Sequence, residues 1–181
     1  MFLSDVRKQN SILLAGPIKA GFLLTQMLLT RLCGTPTLAP MSSPSDKGYP
    51  LPLPTFHMID GAPQPVATFS HASEIDGWVF LTGQMPTWPG EPERALPEGV
   101  EAQTRRVMDN LIIVLKGMGL GLENVAQARV YLTEFDRDYA AMNQTYQSYF
   151  APGKLPARTC IGVTGLAVGA LVEIDFVAKR P

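Results

Sequence analysis

Two apolar periodicities alternate in a fixed order through the greater part of this 181-residue chain, and that order limits the fold more than any other feature. Residues of alternating character, the pattern of half-buried strands, cover Val66–Ala72, Gly77–Thr82, Ala126–Thr133, Arg158–Val163 and Leu171–Ala178. Helical spacing covers two segments. Over Gly99–Gly117, the apolar residues Val100, Val107, Met108, Leu111, Ile112 and Leu115 share one face, with Met118 just beyond. Over Asp136–Phe150, Tyr139, Met142, Tyr146 and Phe150 do the same. The predicted order is β-β-α-β-α-β-β, an α+β domain.

Turn residues punctuate these segments. Ile75-Asp76-Gly77 predicts a hairpin turn, Pro86–Pro97 a proline-rich loop, and Gly117 with Gly119 a helix stop. Pro152 and Gly153 end the second helix. The central strand–helix–strand unit predicts a right-handed crossover. Two helices can cover only one face of the sheet. If the last two strands pair as a hairpin across Gly165–Gly169, Thr159, Ile161 and Val163 lie under the helices with Val172, Ile174 and Phe176. Arg158, Cys160 and Gly162 then share the uncovered face with Glu173 and Asp175. That face meets either water or a second copy of the chain, and pockets often form at such seams.

Residues 1–55 differ in character from residues 56–181, which are read as the single domain. Ser11–Cys33 is mostly apolar but is interrupted by Pro17, Lys19 and Gln26, so it makes a poor membrane span. Arg7 and Lys8 before it, and Thr37-Leu38-Ala39 after it, leave a targeting segment open. The competing reading is an unfolded or non-native extension, with Met41 or Met58 as the true start. Pro36, Pro40, Pro44, Pro50, Pro52 and Pro54 give the segment before the domain the composition of a linker.

Composition excludes several classes. A net charge of −1 lacks the basic footprint of nucleic-acid binding, and acids outnumber bases within the domain. Cys33 and Cys160 lie far apart, and His57 and His71 are the only histidines. No disulfide framework, zinc site or metal centre is expected, and a Ser-His-Asp triad has little support. Gly117-Met118-Gly119-Leu120-Gly121 ends a helix pattern instead of opening one, so it is not a phosphate loop.

The candidate chemistry sits in the closing segments. Arg158 offers a planar fork that can pair with a carboxylate. Its competing role is an ion pair with Glu173 or Asp175. Glu173 can orient or deprotonate a water, or it can be an ordinary interface acid. Cys160 has no predictable histidine partner, which speaks for a packed thiol over a nucleophile. Asn143 and Tyr146 can reach a pocket rim from the second helix, and His71 is read as a packed or exposed histidine.

A resemblance extends this reading. Phe80-Leu81-Thr82-Gly83-Gln84, Glu101-Ala102-Gln103-Thr104 with Met108-Asp109-Asn110-Leu111, Val130-Tyr131-Leu132-Thr133, Met142-Asn143-Gln144-Thr145-Tyr146, Pro156-Ala157-Arg158-Thr159-Cys160 and Leu171-Val172-Glu173-Ile174 occur in sequence. Together, over Phe56–Pro181, they resemble the Rid family of reactive intermediate deaminases, also called the RidA or YjgF family. The resemblance implies a chorismate-mutase-like fold, a homotrimer, and pockets between neighbouring subunits. It implies that Arg158 binds the carboxylate of a 2-imino acid and that Glu173 positions the hydrolytic water. It places Cys160, Gly83 and Asn143 around the pocket. The implied reaction is hydrolysis of small 2-imino acids to 2-keto acids and ammonia, without metal or organic cofactor, in a cytoplasmic protein. No nucleic-acid or membrane partner is expected, and a ribonuclease role has the least support.

Two departures bear on function. Thr68-Phe69-Ser70-His71 stands where the family has Pro-Tyr-Ser-Gln, so Phe69 replaces a tyrosine whose hydroxyl lies near the substrate. Ile161-Gly162 replaces a pair that usually ends in an acid. A second function therefore stays open: a trimer that binds small carboxylates without turnover, or an interaction protein with chaperone-like behaviour.

Overall fold

The computed structural model describes residues 52–181. The readings of the apolar and linker segments before Pro52 lie outside the described residues. The described part is one mixed sheet with two helices. Strands β1 (Thr55–His57), β2 (Ala72–Ile75) and β3 (Trp78–Gln84) come first, followed by α1 (Gly99–Gly117) and β4 (Val125–Leu132). Then come α2 (Phe135–Gln147), β5 (Ala157–Gly162) and β6 (Val172–Lys179). Short 3₁₀ turns at Leu122–Asn124 and Ala167–Gly169 lead into β4 and β6. The strands lie in the order β1-β2-β3-β6-β4-β5.

Local chemistry accounts for the element ends. Asp76 (φ 50°) and Gly77 (φ 72°) form the two-residue turn between paired Ile75 and Trp78. Both central residues have positive φ, as a tight hairpin requires. Helix α1 ends where the amides of Met118, Gly119 and Leu120 take the carbonyls of Val114, Lys116 and Leu115. Gly119 supplies the left-handed backbone (φ 69°) that this cap needs. Met108, Leu111 and Leu115 of α1 and Met142 of α2 are fully buried in one cluster with Leu132, Ile174 and Phe176. Each such side chain contributes roughly 1.5–3 kcal/mol by leaving water.

Three expectations are corrected. The strand predicted over Val66–Ala72 begins only at Ala72, because the chain before it turns at Ala67–Phe69 and is bonded at Ser70 and His71 to Thr82. β1, too short to show a period, extends the sheet beyond β2. The closing hairpin does not form. β4 lies between β5 and β6, parallel to the first and antiparallel to the second.

That insertion also reverses the predicted faces of β5. Arg158 aligns with Ala128 and Phe176, and Cys160 with Val130 and Ile174, all core positions. Arg158 and Cys160 therefore face the helices. Thr159 aligns with Arg129 and Asp175, and Ile161 with Tyr131 and Glu173, on the face that neither of the two described helices covers. Alternation fixes which residues of β5 share a face. Which face turns inward depends on β5 being an edge strand beside α2, where a long polar side chain can lie under the helix end and still reach solvent.

Candidate active site in two halves

The first half is built by α2 and β5. Asn143 and Tyr146, three residues apart, lie on one side of α2. Arg158 Nη2 donates to Asn143 Oδ1 at 2.5 Å. The guanidinium carbon stands 4.8 Å from the centre of the Tyr146 ring, a cation–π distance. Tyr146 is buried, and burial pushes its phenol up to about 12, so the ring stays neutral beneath the cation. These two contacts fix the plane of the guanidinium, and no acid among the described residues pairs with it. The free edge opens into a cavity of about 380 Å³ lined by Asn143, Tyr146, Gln147, Leu155, Pro156 and Arg158. Cys160 follows on the same face of β5. Burial pushes its thiol up, against the opposing pull of Arg158, so it remains an S–H.

The second half lies on the open face, where β3 meets β6. Leu81 aligns with Phe176 and Gln84 with Ile174, so Thr82 and Gly83 together oppose Asp175. This bulge swings Gly83 against the Glu173 side chain. A methyl group on Gly83 would overlap Glu173 Oε1 and lie 2.9 Å from Cδ. Glycine is therefore required for the carboxyl to occupy its seat. Glu173 is half-buried, and burial first, then the neighbouring Asp175 carboxylate, raises it above the ordinary glutamate range. Asp175 is held by Arg129 Nε at 2.9 Å, with the Tyr131 hydroxyl at 3.4 Å.

Phe69 belongs to this second half. It lines a narrow crevice with Gly83, Gln84, Pro65 and His71. His71 is buried, and both ring nitrogens are engaged. Nδ1 accepts from the Ile59 amide at 2.8 Å, and Nε2 donates to the Pro63 carbonyl at 2.9 Å. The ring thus pins the segment preceding Phe69, so of the packed and exposed roles read from sequence the structure shows the packed one.

The six candidate residues therefore form two sets. Arg158, Cys160 and Asn143 meet on the helix side. Glu173, Gly83 and Phe69 meet on the open side. The expected sharing of one face by Arg158 and Glu173 does not hold within a chain. Two features went unread in the sequence. The Tyr146 ring as a platform for Arg158 was signalled by its i, i+3 spacing from Asn143. The seating of Glu173 on Gly83 depends on a bulge and left no local signal. Among the described residues no group of three or more His, Cys, Asp or Glu could hold a metal ion, and no helix is long and apolar enough to cross a membrane.

A two-helix mixed sheet with an arginine-anchored cleft at its edge defines a recognisable class, and comparison places the chain in it. The family profile described as Endoribonuclease L-PSP matches residues 59–180. A RutC family protein of Synechocystis is 40% identical over 121 residues, covering 66% of this chain and 92% of that protein. The protein DfrA of Myxococcus xanthus is 38% identical, with 66% and 90% covered. Among solved structures, RidA from the Antarctic bacterium Psychrobacter superposes with a TM-score of 0.65 at 29% identity, covering 70% of this chain and 99% of that one. TdcF of E. coli, solved with bound serine, gives a TM-score of 0.65 at 25% identity over 70% and 99% of the two chains. The chain belongs to the Rid family, whose profile carries the L-PSP name.

Proposed function

We propose that the chain is an enamine/imine deaminase that hydrolyses small 2-imino acids to 2-keto acids and ammonia, at sites assembled between the subunits of a homotrimer. The observation that carries the proposal is the separation of the two halves. Arg158 is held with an unpaired edge on one face of the sheet, and Glu173 is seated half-buried on the other. One substrate meets both only where the cleft edge of one copy approaches the open face of another. The bound serine of TdcF supports a small molecule bearing a carboxylate as the ligand class.

In this reading Arg158 pairs with the substrate carboxylate, and the Asn143 and Tyr146 contacts fix its approach. Glu173 takes a proton from water as the water oxygen bonds to the imine carbon. Glu173 returns that proton to the imine nitrogen, giving a carbinolamine. It then takes the carbinolamine hydroxyl proton and delivers it to the amine nitrogen, so the C–N bond breaks, ammonia leaves and the carbonyl forms. A glutamate raised by burial and by Asp175 holds a proton more readily than a free glutamate, which suits it to take the proton and give it back. Cys160, held as a thiol, lines the site and does not attack. Phe69 favours the second reading, a trimer that binds carboxylates without turnover, because the crevice beside Gly83 lacks a phenol hydroxyl.

The test is ammonia release from freshly generated 2-iminopropanoate. Arg158→Ala is expected to cost about 2–5 kcal/mol of transition-state binding, a loss of roughly thirtyfold or more. Glu173→Gln should lower the rate by about 10²–10⁴-fold. Refolding the two inactive variants together should restore activity at about one quarter of the sites, those that draw Arg158 and Glu173 from different copies. No wild-type rate above buffer, with keto-acid binding retained, would establish the second reading. Active wild type with no restoration on mixing would place each site within one chain.

A further inference from the structure

A larger cavity lies on the other side of the α2–β5 connection, away from the cleft of Arg158. It has a volume of about 800 Å³ and is bounded by the last turn of α1, the 3₁₀ turn before β4, and residues 149–156. This size falls within the range of small-molecule sites, roughly 300–1,000 Å³. Its walls are the side chains of Ile112, Leu115, Leu120, Leu122, Phe150 and Leu155. Leu155 is 57% exposed on this wall, so much of its apolar surface is open to a guest.

Two of the three charged side chains on the lining are lysines. Lys116 and Lys154 stand at its rim, are exposed, and join no ion pair among the described residues. Glu123 is the one acid on the lining, and its carboxyl is folded back against Gly121. The Tyr149 hydroxyl is turned away, at 3.0 Å from Asp109 Oδ1 and 3.2 Å from the Arg105 carbonyl, so the cavity sees its ring. The carbonyls ending α1 are already bonded to the amides of Met118, Gly119 and Leu120. With the carbonyls of Val114, Leu115 and Lys116 so engaged, the charge offered to a guest from this side comes from the Lys116 ammonium.

We infer that this cavity is a binding site for an amphipathic carboxylate, with its apolar body against Leu115, Leu120, Leu122 and Phe150 and its charged end between Lys116 and Lys154. An apolar floor beneath two unpaired ammonium groups selects a ligand with both features. A small hydrophilic 2-imino acid would leave the floor unfilled. The site is thus distinct in chemistry from the cleft of Arg158, although Leu155 and Pro156 line both.

The experiment is an amide-resolved NMR titration of the full chain with sodium octanoate, and with 1-octanol and octylammonium chloride as controls. Octanoate should give saturable shifts clustered at residues 112–125 and 149–156, unchanged in Arg158→Ala. The charge-reversed pair Lys116→Glu and Lys154→Glu should weaken binding by about tenfold or more. Leu122→Trp, which fills the floor, should abolish the shifts while thermal unfolding shows the fold intact. The inference is overturned if octanoate gives no saturable shifts, if octanol or octylammonium binds equally well, or if the shifts centre on Asn143 and Arg158 and vanish in Arg158→Ala.

Discussion

At the scale of single residues, the two carriers of the proposed chemistry are held by opposite means. Arg158 is positioned by contacts that leave its charge intact: a neutral amide at one nitrogen and a neutral ring beneath. Glu173 is positioned at the expense of its charge, packed on Gly83 and two residues from Asp175. Its folded-state pKa lies above the unfolded value, so the folded chain binds the extra proton more tightly. Stability from this group is therefore fullest below the ordinary glutamate value of 4.5 and falls as pH rises through the raised one. Glu173→Gln removes the charge and keeps the shape. It should melt higher than wild type at pH 7, with the difference closing as pH falls below 4.5. A variant that is no more stable at pH 7 would contradict the seating described. Both residues were singled out from the ordered sequence blocks. Their separation was not, because it depends on the register between strands distant in the chain.

At the scale of elements, the helices were the most legible features, since an amphipathic stripe closed by glycine is a local signal. Helix α1 runs over Gly99–Gly117, as its spacing predicts. The sheet was less so. The two sets of β5, Arg158-Cys160-Gly162 and Thr159-Ile161-Val163, gave apolarity as the only guide to the inward face, and that guide pointed the wrong way at an edge strand. The turn before β6 holds a further feature invisible in sequence. Val168, 52% exposed, has φ 54° and ψ 17°, a left-handed backbone that a β-branched residue rarely adopts. Its side chain gains little packing in return. Val168→Asn should therefore stabilise the chain by about 1 kcal/mol, since asparagine tolerates this conformation. Chemical denaturation checks this through the transition midpoint. An unchanged or lower midpoint would mean that Val168 makes contacts outweighing the strain.

At the scale of the whole molecule, the sheet is a one-sided structure. The two described helices cover one face, while the other leaves Phe56 70%, Phe80 44% and Ile161 46% exposed, with half-buried Glu173 in line with Ile161 across Tyr131. Apolar side chains in this arrangement are what the proposed subunit contact would cover. Ile161→Arg should convert the proposed trimer to monomer, read by sedimentation equilibrium, and abolish the proposed deamination while leaving the unfolding transition of the monomer cooperative. A monomeric wild type, or a trimeric Ile161→Arg, would remove the basis for shared sites. The sequence pointed to an uncovered face because only two helices were available. It did not reveal what stands there, since that required placing β4 between the two final strands.

That placement also governs when the chain can acquire its structure. β6, the final strand of the sheet, is not at its margin but between β3 and β4. Until it is synthesised, the early hairpin and the β4–α2–β5 unit share no strand-to-strand hydrogen bonds, and each exposes an unpaired edge. Maturation on the ribosome must therefore wait for the stretch beginning at Val172. A nascent chain stalled before that point would hold two unjoined fragments, vulnerable to proteases and to pairing with other chains.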